Sequence, residues 1–384
     1  MQPLHVVYGG AHLFKAGTVP KLGELARKAA EEHRLAEALE LPDDVAAQVM
    51  AKLAADPVED LRIDFEDGFG IRPDAEEDAA ALQSAREFQT ATLPRQIGIR
   101  VKQGARGLKT LRLFLDNCGD LPPNFVVTLP KVTAMQEVAA LVAALGDRPG
   151  IGIEIMIETP GAIFQIPALV AAAEGRCVAA HFGAYDYLAS LGISQQDLTH
   201  PACDFARQMM LTNLAGTGVW VADGATNQLP LKGSNIQAAW KLHYDNTRRA
   251  LYNGFYQGWD LHPAQIPARM AAVYMFFREG MAQQTERLKN FVAVAAQATH
   301  VNGAFDDAAT GRVPDENFAR EVMQLFSIGL YQLNADGTVK KDGSGNALET
   351  YTSSDVAGRR SVGGSSSAAR SPASSTSRPS RSDR

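Results

Sequence analysis

Two carboxylates end buried, strand-like segments near the middle of the chain. Glu158 ends the segment 150–160, in which isoleucine alternates at positions 151, 153, 155 and 157, a pattern typical of a strand. Asp186 ends the apolar segment 177–186, 28 residues later, which is about one βαβ unit. We therefore expect both acids at one end of adjacent parallel strands, where hard oxygen donors suit Mg²⁺ or Mn²⁺. The alternative is that each acid caps the helix that follows it.

Other charged or polar residues follow the remaining predicted strands. We predict that five of them are catalytic: Asp64, Glu66, Asp67, Arg100 and Lys131. Arg100 is also predicted to contact substrate, together with five residues near strand ends: His12, Thr159, Pro160, Asp223 and His262. Acids and cations gathered at one end of a sheet form a pocket that binds a metal and stabilises an oxyanion.

Several of these residues also fit a structural role. Arg100 is an expected ion-pair partner for an acid of the preceding strand, and Lys131 would serve as a solvated charge at the rim. His12 follows two glycines that permit close backbone approach, and His262 precedes a proline, so both also fit local hydrogen bonding. His181 lies inside a predicted strand, where a histidine is more often a satisfied core residue.

Strand-like and helix-like segments alternate eight times along the chain. The strand candidates are residues 4–8, 60–67, 97–101, 125–131, 150–160, 177–186, 218–223 and 254–262. Eight βα units favour a closed (β/α)₈ barrel of the α/β class, whose chemistry lies at the C-terminal strand ends. No glycine-rich dinucleotide fingerprint or P-loop follows a strand, which removes the usual reason to prefer an open sheet.

The charge of the chain is uneven. The net charge is −6, but residues 359–384 carry six arginines and one aspartate, so the remainder carries −11. This acidic body argues against a nucleic-acid partner, and no apolar run is long enough to predict a membrane span. We predict no signal peptide, because the first five residues lack a basic start and an apolar core, and the three cysteines have no metal-type spacing. We therefore expect a cytoplasmic protein without disulfides.

Six segments, in the right order, resemble the superfamily of the citrate lyase β-subunit, malyl-coenzyme A lyase and the 2-keto-3-deoxy acid aldolases. They are Ile63–Phe69 with the following Pro73-Asp74, Ile99-Arg-Val101, Leu129–Val132, Ile157–Thr159, Gly183–Gly192 and Gly254–Ile266. The resemblance covers about residues 4–310 and implies a phosphoenolpyruvate/pyruvate-type TIM barrel. It looks most like an uncharacterised bacterial branch, and homo-oligomers are usual in the superfamily.

The resemblance also implies roles for the site residues. Glu158 and Asp186 would bind Mg²⁺, and Arg100 with the metal would polarise the keto or enolate oxygen. The acids at 64, 66 and 67 would bind waters around the metal. The base histidine of the aldolases is absent, because Gly68-Phe69 occupies its place. By position alone, Asp306 or Asp307 matches the catalytic aspartate that the thioester lyases take from a lid.

These features predict an enzyme, a Mg²⁺-dependent carbon–carbon lyase or aldolase. Its substrate would be a small keto or hydroxy acid or its coenzyme A thioester. Two alternatives stay open: a phosphotransfer enzyme that handles phosphoenolpyruvate or pyruvate, and a non-catalytic barrel used as a binding module.

The chain changes character after Gly311. We predict a barrel domain at 1–300 and a lid segment at 301–311. Residues 312–358 resemble a fragment of an unrelated, uncharacterised bacterial family of mainly helical domains, which suggests a fusion artefact. Residues 359–384 are rich in serine, arginine, glycine and proline, and we predict a disordered basic tail.

Overall fold

A computed structural model describes residues 2–302, 340–346 and 348. The chain divides into two compact units, Met1–Glu279 and Gly280–Arg384. Asp306 and Asp307, and most of the predicted lid, fragment and tail segments, lie outside the described residues.

Eight parallel strands close a barrel in which each strand pairs with its neighbours in chain order. They are β1 His5–Gly10, β2 Asp60–Asp64, β3 Gln96–Arg100, β4 Phe125–Leu129, β5 Gly152–Ile157, β6 Cys177–Phe182, β7 Trp220–Asp223 and β8 Gln257–Asp260. The register aligns Gly10 with Asp64 and Asp64 with Arg100, so the ends of the first three strands are level. The predicted (β/α)₈ fold is confirmed.

Helices follow the strands and surround the barrel. Those of the described residues are α1 Thr18–Glu32, α2 Leu35–Ala38, α3 Asp43–Ala55, α4 Asp74–Phe88, α5 Gly104–Leu115, α6 Met135–Leu145, α7 Pro160–Ile163, α8 Ile166–Ala172, α9 Ala184–Ser190, α10 Pro201–Leu214, α11 Ile236–Tyr252 and α12 Ile266–Asn302. Short 3₁₀ turns cover Ala11–Leu13 and Pro263–Gln265. Among the described residues, no helix is long and apolar enough to cross a membrane.

The two faces of the strands have different chemistry. The isoleucines of β5 lie in the hydrophobic core between strands and helices. The alternate positions of β2 carry Asp60, Arg62 and Asp64, all fully buried, because successive side chains of a strand point to opposite faces. Arg62 donates hydrogen bonds to Thr128 (3.0 Å) and Glu154 (2.7 Å) on neighbouring strands. A buried ionic layer therefore crosses the barrel interior, and the sequence prediction did not include it.

A second buried polar cluster joins the first and last strands. Asp260 on β8 accepts hydrogen bonds from His5 (2.7 Å), from His243 of α11 (2.8 Å) and from Arg269 of α12 (2.8 Å). His5 accepts the backbone N–H of Glu59 at its other ring nitrogen, so its proton lies on the side of Asp260. This cluster ties strands and helices together at the point where the barrel closes.

Several predicted boundaries were wrong. β2 ends at Asp64, so Glu66 and Asp67 lie in the loop after the strand. The chain turns there because the Asp64 carboxylate accepts the backbone N–H groups of Glu66 (2.9 Å) and Gly68 (2.7 Å). β6 ends at Phe182, and Asp186 lies in the first turn of α9 rather than at the strand end. An acid in a first helical turn is favoured by the helix dipole.

The three cysteines are free, and the second unit has few described residues. Cys118, Cys177 and Cys203 are buried and unpaired, as predicted. In the second unit the described residues are the end of α12 and a short turn, in which Asp342 accepts the backbone N–H groups of Ser344 (2.8 Å) and Asn346 (2.9 Å).

Candidate active site

A cavity of about 350 Å³ opens at the C-terminal ends of the strands. Its charged lining residues come from β2, β3 and the segments that follow β2, β5 and β6: Asp64, Asp67, Arg100, Glu158 and Asp186. The structure therefore brings both predicted metal ligands and three of the predicted catalytic residues into one cavity. Lys131 and Glu66 do not line it but contact side chains that do.

Glu158 and Asp186 meet at the wall of this cavity. Glu158 is buried, its carboxylate accepts the backbone N–H of Lys131 (3.0 Å), and the half-buried Asp186 lies beside it. Gly183 makes the approach of the two chain segments possible, because a Cβ at this position would lie 2.3 Å from Cγ of Glu158. The sequence places the two acids in consecutive βα units of the barrel, and Gly183 lets Glu158 occupy the space beside α9.

The chemistry of this pair suits a cation. Burial, the hydrogen bond with Asp186 and the charge of Asp186 raise the pKa of Glu158 to about 8. Neighbouring carboxylates repel each other unless a positive charge offsets the repulsion. Mg²⁺ binds one or two carboxylates and keeps its other positions for water and substrate. The pair fits such an ion. The described part of the chain contains no group of three or more His, Cys, Asp or Glu side chains that could hold a metal.

Arg100 is held firmly by acids. Its guanidinium binds Asp64 through two hydrogen bonds (2.7 and 2.5 Å) and lies 3.1 Å from Glu66 and 3.5 Å from Asp67. Burial alone would lower the pKa of Arg100, but the hydrogen bonds and charge of Asp64 raise it above its usual value. Only 1% of the residue is exposed, so the structural ion-pair alternative is realised, and the guanidinium still lines the cavity.

Lys131 joins the two groups of acids. Its ammonium contacts Glu66 and lies 3.3 Å from Asp67 and 3.4 Å from Asp186. Burial lowers the pKa of Lys131, but the hydrogen bond to Glu66 and the charge of Glu158 outweigh it, so the net shift is upward. Its backbone adopts a left-handed conformation (φ 49°), which is uncommon outside glycine and costs about 1–3 kcal/mol. This conformation accompanies the hydrogen bond from its N–H to Glu158.

Aromatic side chains that the sequence prediction did not include line the rest of the cavity: Tyr8, Tyr185 and Trp259. The guanidinium of Arg100 lies 4.8 Å from the ring centre of Tyr8 and 5.3 Å from that of Trp259. The hydroxyl of Tyr8 donates to Glu154 (2.8 Å), below the cavity. The sequence carries a signal for two of them, because Tyr8 ends the first predicted strand and Trp259 precedes Asp260 near the end of the last.

Other predicted contacts lie elsewhere, because His12, Thr159, Pro160, Asp223 and His262 do not line this cavity. Thr159 caps α7, and His262 accepts the backbone N–H of Ala264 (3.1 Å). Asp223 accepts a hydrogen bond from Arg207 (2.9 Å), and His12 packs against Phe69. Their substrate roles stay predictions.

One internal histidine, His181, lies beside an acid inside the barrel. His181 is buried in β6, as expected of a core histidine, and its Nε2 lies 2.9 Å from Glu154 but without the geometry of a hydrogen bond. Tyr8 adds a contact of 3.1 Å to the other ring nitrogen of His181.

A family model described as a domain of unknown function (DUF6986) matches residues 1–327. The chain belongs to this family. The match includes residues 312–327, so the suggested junction at Gly311 lies inside the matched range, and the origin of 312–358 stays a prediction. A search of curated proteins found no match.

Solved structures provide the other comparison. A citrate lyase from Burkholderia xenovorans LB400 is 20% identical, with a TM-score of 0.55 over 78% of this chain and 84% of that chain. The citrate lyase β-subunit from Mycobacterium tuberculosis complexed with oxaloacetate and magnesium is 20% identical, with a TM-score of 0.46 over 70% of this chain and 95% of that chain. At this identity the likeness to the first structure shows the shared fold.

Proposed function

We propose that this protein is a Mg²⁺-dependent carbon–carbon lyase or aldolase that acts next to the carbonyl of a small keto acid or acyl thioester. The observation that carries the proposal is the meeting of Glu158 and Asp186 in one cavity with Arg100. The motif resemblance and the fold shared with a structure named a citrate lyase support it.

The cations of the site suit an electron-rich product. Cleavage of a carbon–carbon bond next to a carbonyl leaves an enolate, whose oxygen needs positive charge in the transition state. Arg100 lines the cavity, and its two hydrogen bonds to Asp64 fix the plane of the guanidinium before substrate arrives. Such preorganisation avoids reorienting the charge during the reaction.

A divalent cation, when bound, would polarise the keto oxygen and offset the charge that develops on it. Glu158 and Asp186 would hold that cation, and the N–H of Lys131 orients Glu158 for this role. The acids Asp64, Glu66 and Asp67 are engaged by Arg100 and Lys131, and we propose that they position these cations. Tyr8 and Trp259 form an apolar wall that excludes water from the guanidinium.

The decisive experiment measures product release with and without Mg²⁺. A panel of hydroxy acids and their coenzyme A thioesters would be incubated with the protein, and the formation of pyruvate, oxaloacetate and glyoxylate would be followed. We expect one substrate class to be cleaved only when Mg²⁺ or Mn²⁺ is present. No cleavage of any substrate under these conditions would reject the proposal.

Matched variants separate loss of the site from loss of the fold. Glu158→Gln and Asp186→Asn should each abolish binding of Mn²⁺ and lower turnover, because each removes one carboxylate ligand. Asp245→Asn is the control, since Asp245 is an exposed acid of α11 that pairs with Lys241. Wild-type Mn²⁺ affinity in Glu158→Gln and in Asp186→Asn would exclude these two residues as the metal ligands.

A further inference from the structure

A second concave site lies beside the candidate active site, in the layer between β1 and α1. This groove has a volume of about 300 Å³, within the range of about 300–1,000 Å³ that is typical of ligand pockets. One face of α1 lines it with Thr18, Lys21, Leu22 and Leu25, which recur at helical spacing. The lining is mainly apolar.

Gly9 keeps this groove open. Tyr8 points into the barrel, toward Glu154 and Arg100, so the next position of the strand faces the helix layer. That layer is normally filled by side chains at close-packed density. At Gly9, however, an added Cβ would meet no atom within 4 Å. An unfilled apolar space is unfavourable, because its lining atoms lack contact partners.

The groove and the active-site cavity share part of their walls. Tyr8 and Leu261 line both, and Leu261, which follows β8, is 38% exposed. Leu13, at the turn after β1, lines the groove and is 68% exposed. An extended molecule with its polar head in the cavity would therefore pass Leu261 and find apolar side chains along its path.

We propose that the groove binds an apolar arm of the substrate. The substrate class would then be a keto acid or acyl compound with an aliphatic chain, rather than a three- or four-carbon acid. This inference rests on the proposed function, because it places the reacting head of that substrate beside Glu158 and Asp186. Lys21 also lines the groove and is exposed, and a lysine can cover apolar surface with its stem while its ammonium stays in water.

The test is calorimetric titration of the full chain, with Mg²⁺ present, using pyruvate, 2-oxohexanoate, 2-oxooctanoate and 2-oxodecanoate. Affinity should rise about fourfold for each methylene that enters the groove. The pyruvate Kd should then exceed the 2-oxodecanoate Kd by at least about tenfold. In Gly9→Val the ratio of these two Kd values should fall to near one, and in Gly9→Ala it should be intermediate. Gly17→Ala, an exposed position at the start of α1 with open space around it, should keep the wild-type ratio.

The outcomes separate the two proposals. Binding of pyruvate with no gain from chain length, or a ratio that Gly9→Val leaves unchanged, would overturn the arm site alone. Failure of every keto acid to bind would overturn the proposed function and the arm site with it. A ratio that falls equally in Gly17→Ala would also overturn the arm site, because the effect would then not belong to the groove.

Discussion

Replacing Gly183 by alanine tests the proposed metal site without removing any chemical group from it. The new Cβ would lie 2.3 Å from Cγ of Glu158, whereas ordinary contact begins near 3.4 Å. The carboxylate of Glu158 must therefore move by about 1 Å, or α9 must shift with Asp186. Either movement disturbs an ion that requires oxygen ligands at about 2.0–2.1 Å.

The expected magnitude follows from this displacement. Loss of the contacts that orient a metal ligand typically lowers metal affinity by about 10–100-fold. Crowding of a packed site costs about 1–3 kcal/mol of stability. We therefore expect Gly183→Ala to fold with a lowered Tm and to bind Mn²⁺ about 10–100-fold more weakly, measured by electron paramagnetic resonance and by circular dichroism.

Gly161→Ala is the matched control. Gly161 lies in α7, two residues after Thr159, and an added Cβ would come no closer than 4.0 Å to its nearest neighbour. This variant should keep both Mn²⁺ affinity and Tm. A folded Gly183→Ala protein with wild-type Mn²⁺ affinity would refute the reasoning, because Glu158 would then not need the position that the glycine provides.

Three further predictions concern Arg100, the Asp260 cluster and the C-terminal segment. Arg100→Ala should lower turnover about 10²–10³-fold. Arg100→Lys should not restore turnover, since a point charge lacks the planar fork of the guanidinium. Unchanged kinetics in Arg100→Ala would remove Arg100 from the mechanism. Asp260→Asn should destabilise the fold by about 3–5 kcal/mol in urea denaturation at pH 7, because it leaves buried Arg269 without its charged partner. Burial alone would raise the pKa of Asp260, but the charge of Arg269 and the hydrogen bonds of the two histidines hold it well below its usual value. The stability that ionised Asp260 contributes is therefore present above about pH 4 and is lost as the pH falls toward its pKa in the folded state. The wild-type protein and Asp260→Asn should accordingly converge in stability on acidification. Deletion after Gly311 should leave Tm within a few degrees of the full-length value, because the strands close the barrel between His5 and Asp260. A truncated protein that fails to fold would contradict this.

The order of the strands and the meeting of Glu158 with Asp186 could be predicted from sequence. Period-two alternation and the spacing of βα units are local properties, and parallel strands place their C-terminal ends at one edge. For this reason Glu158, Asp186 and Arg100 were expected together, and the structure gathers them in one cavity.

The tertiary structure decided which side chains face one another. Asp223 ends a strand as clearly as Asp64 does, but its partner Arg207 comes from α10, and no local pattern indicates that contact. Tyr8 became part of the site because Arg100 packs over its ring, across the barrel. Gly9 appeared in the sequence as a glycine at a strand end, and only the fold shows that its missing side chain leaves a groove open. Spacing along the chain specifies the elements and their ends, whereas contacts between residues far apart in sequence depend on how those elements pack.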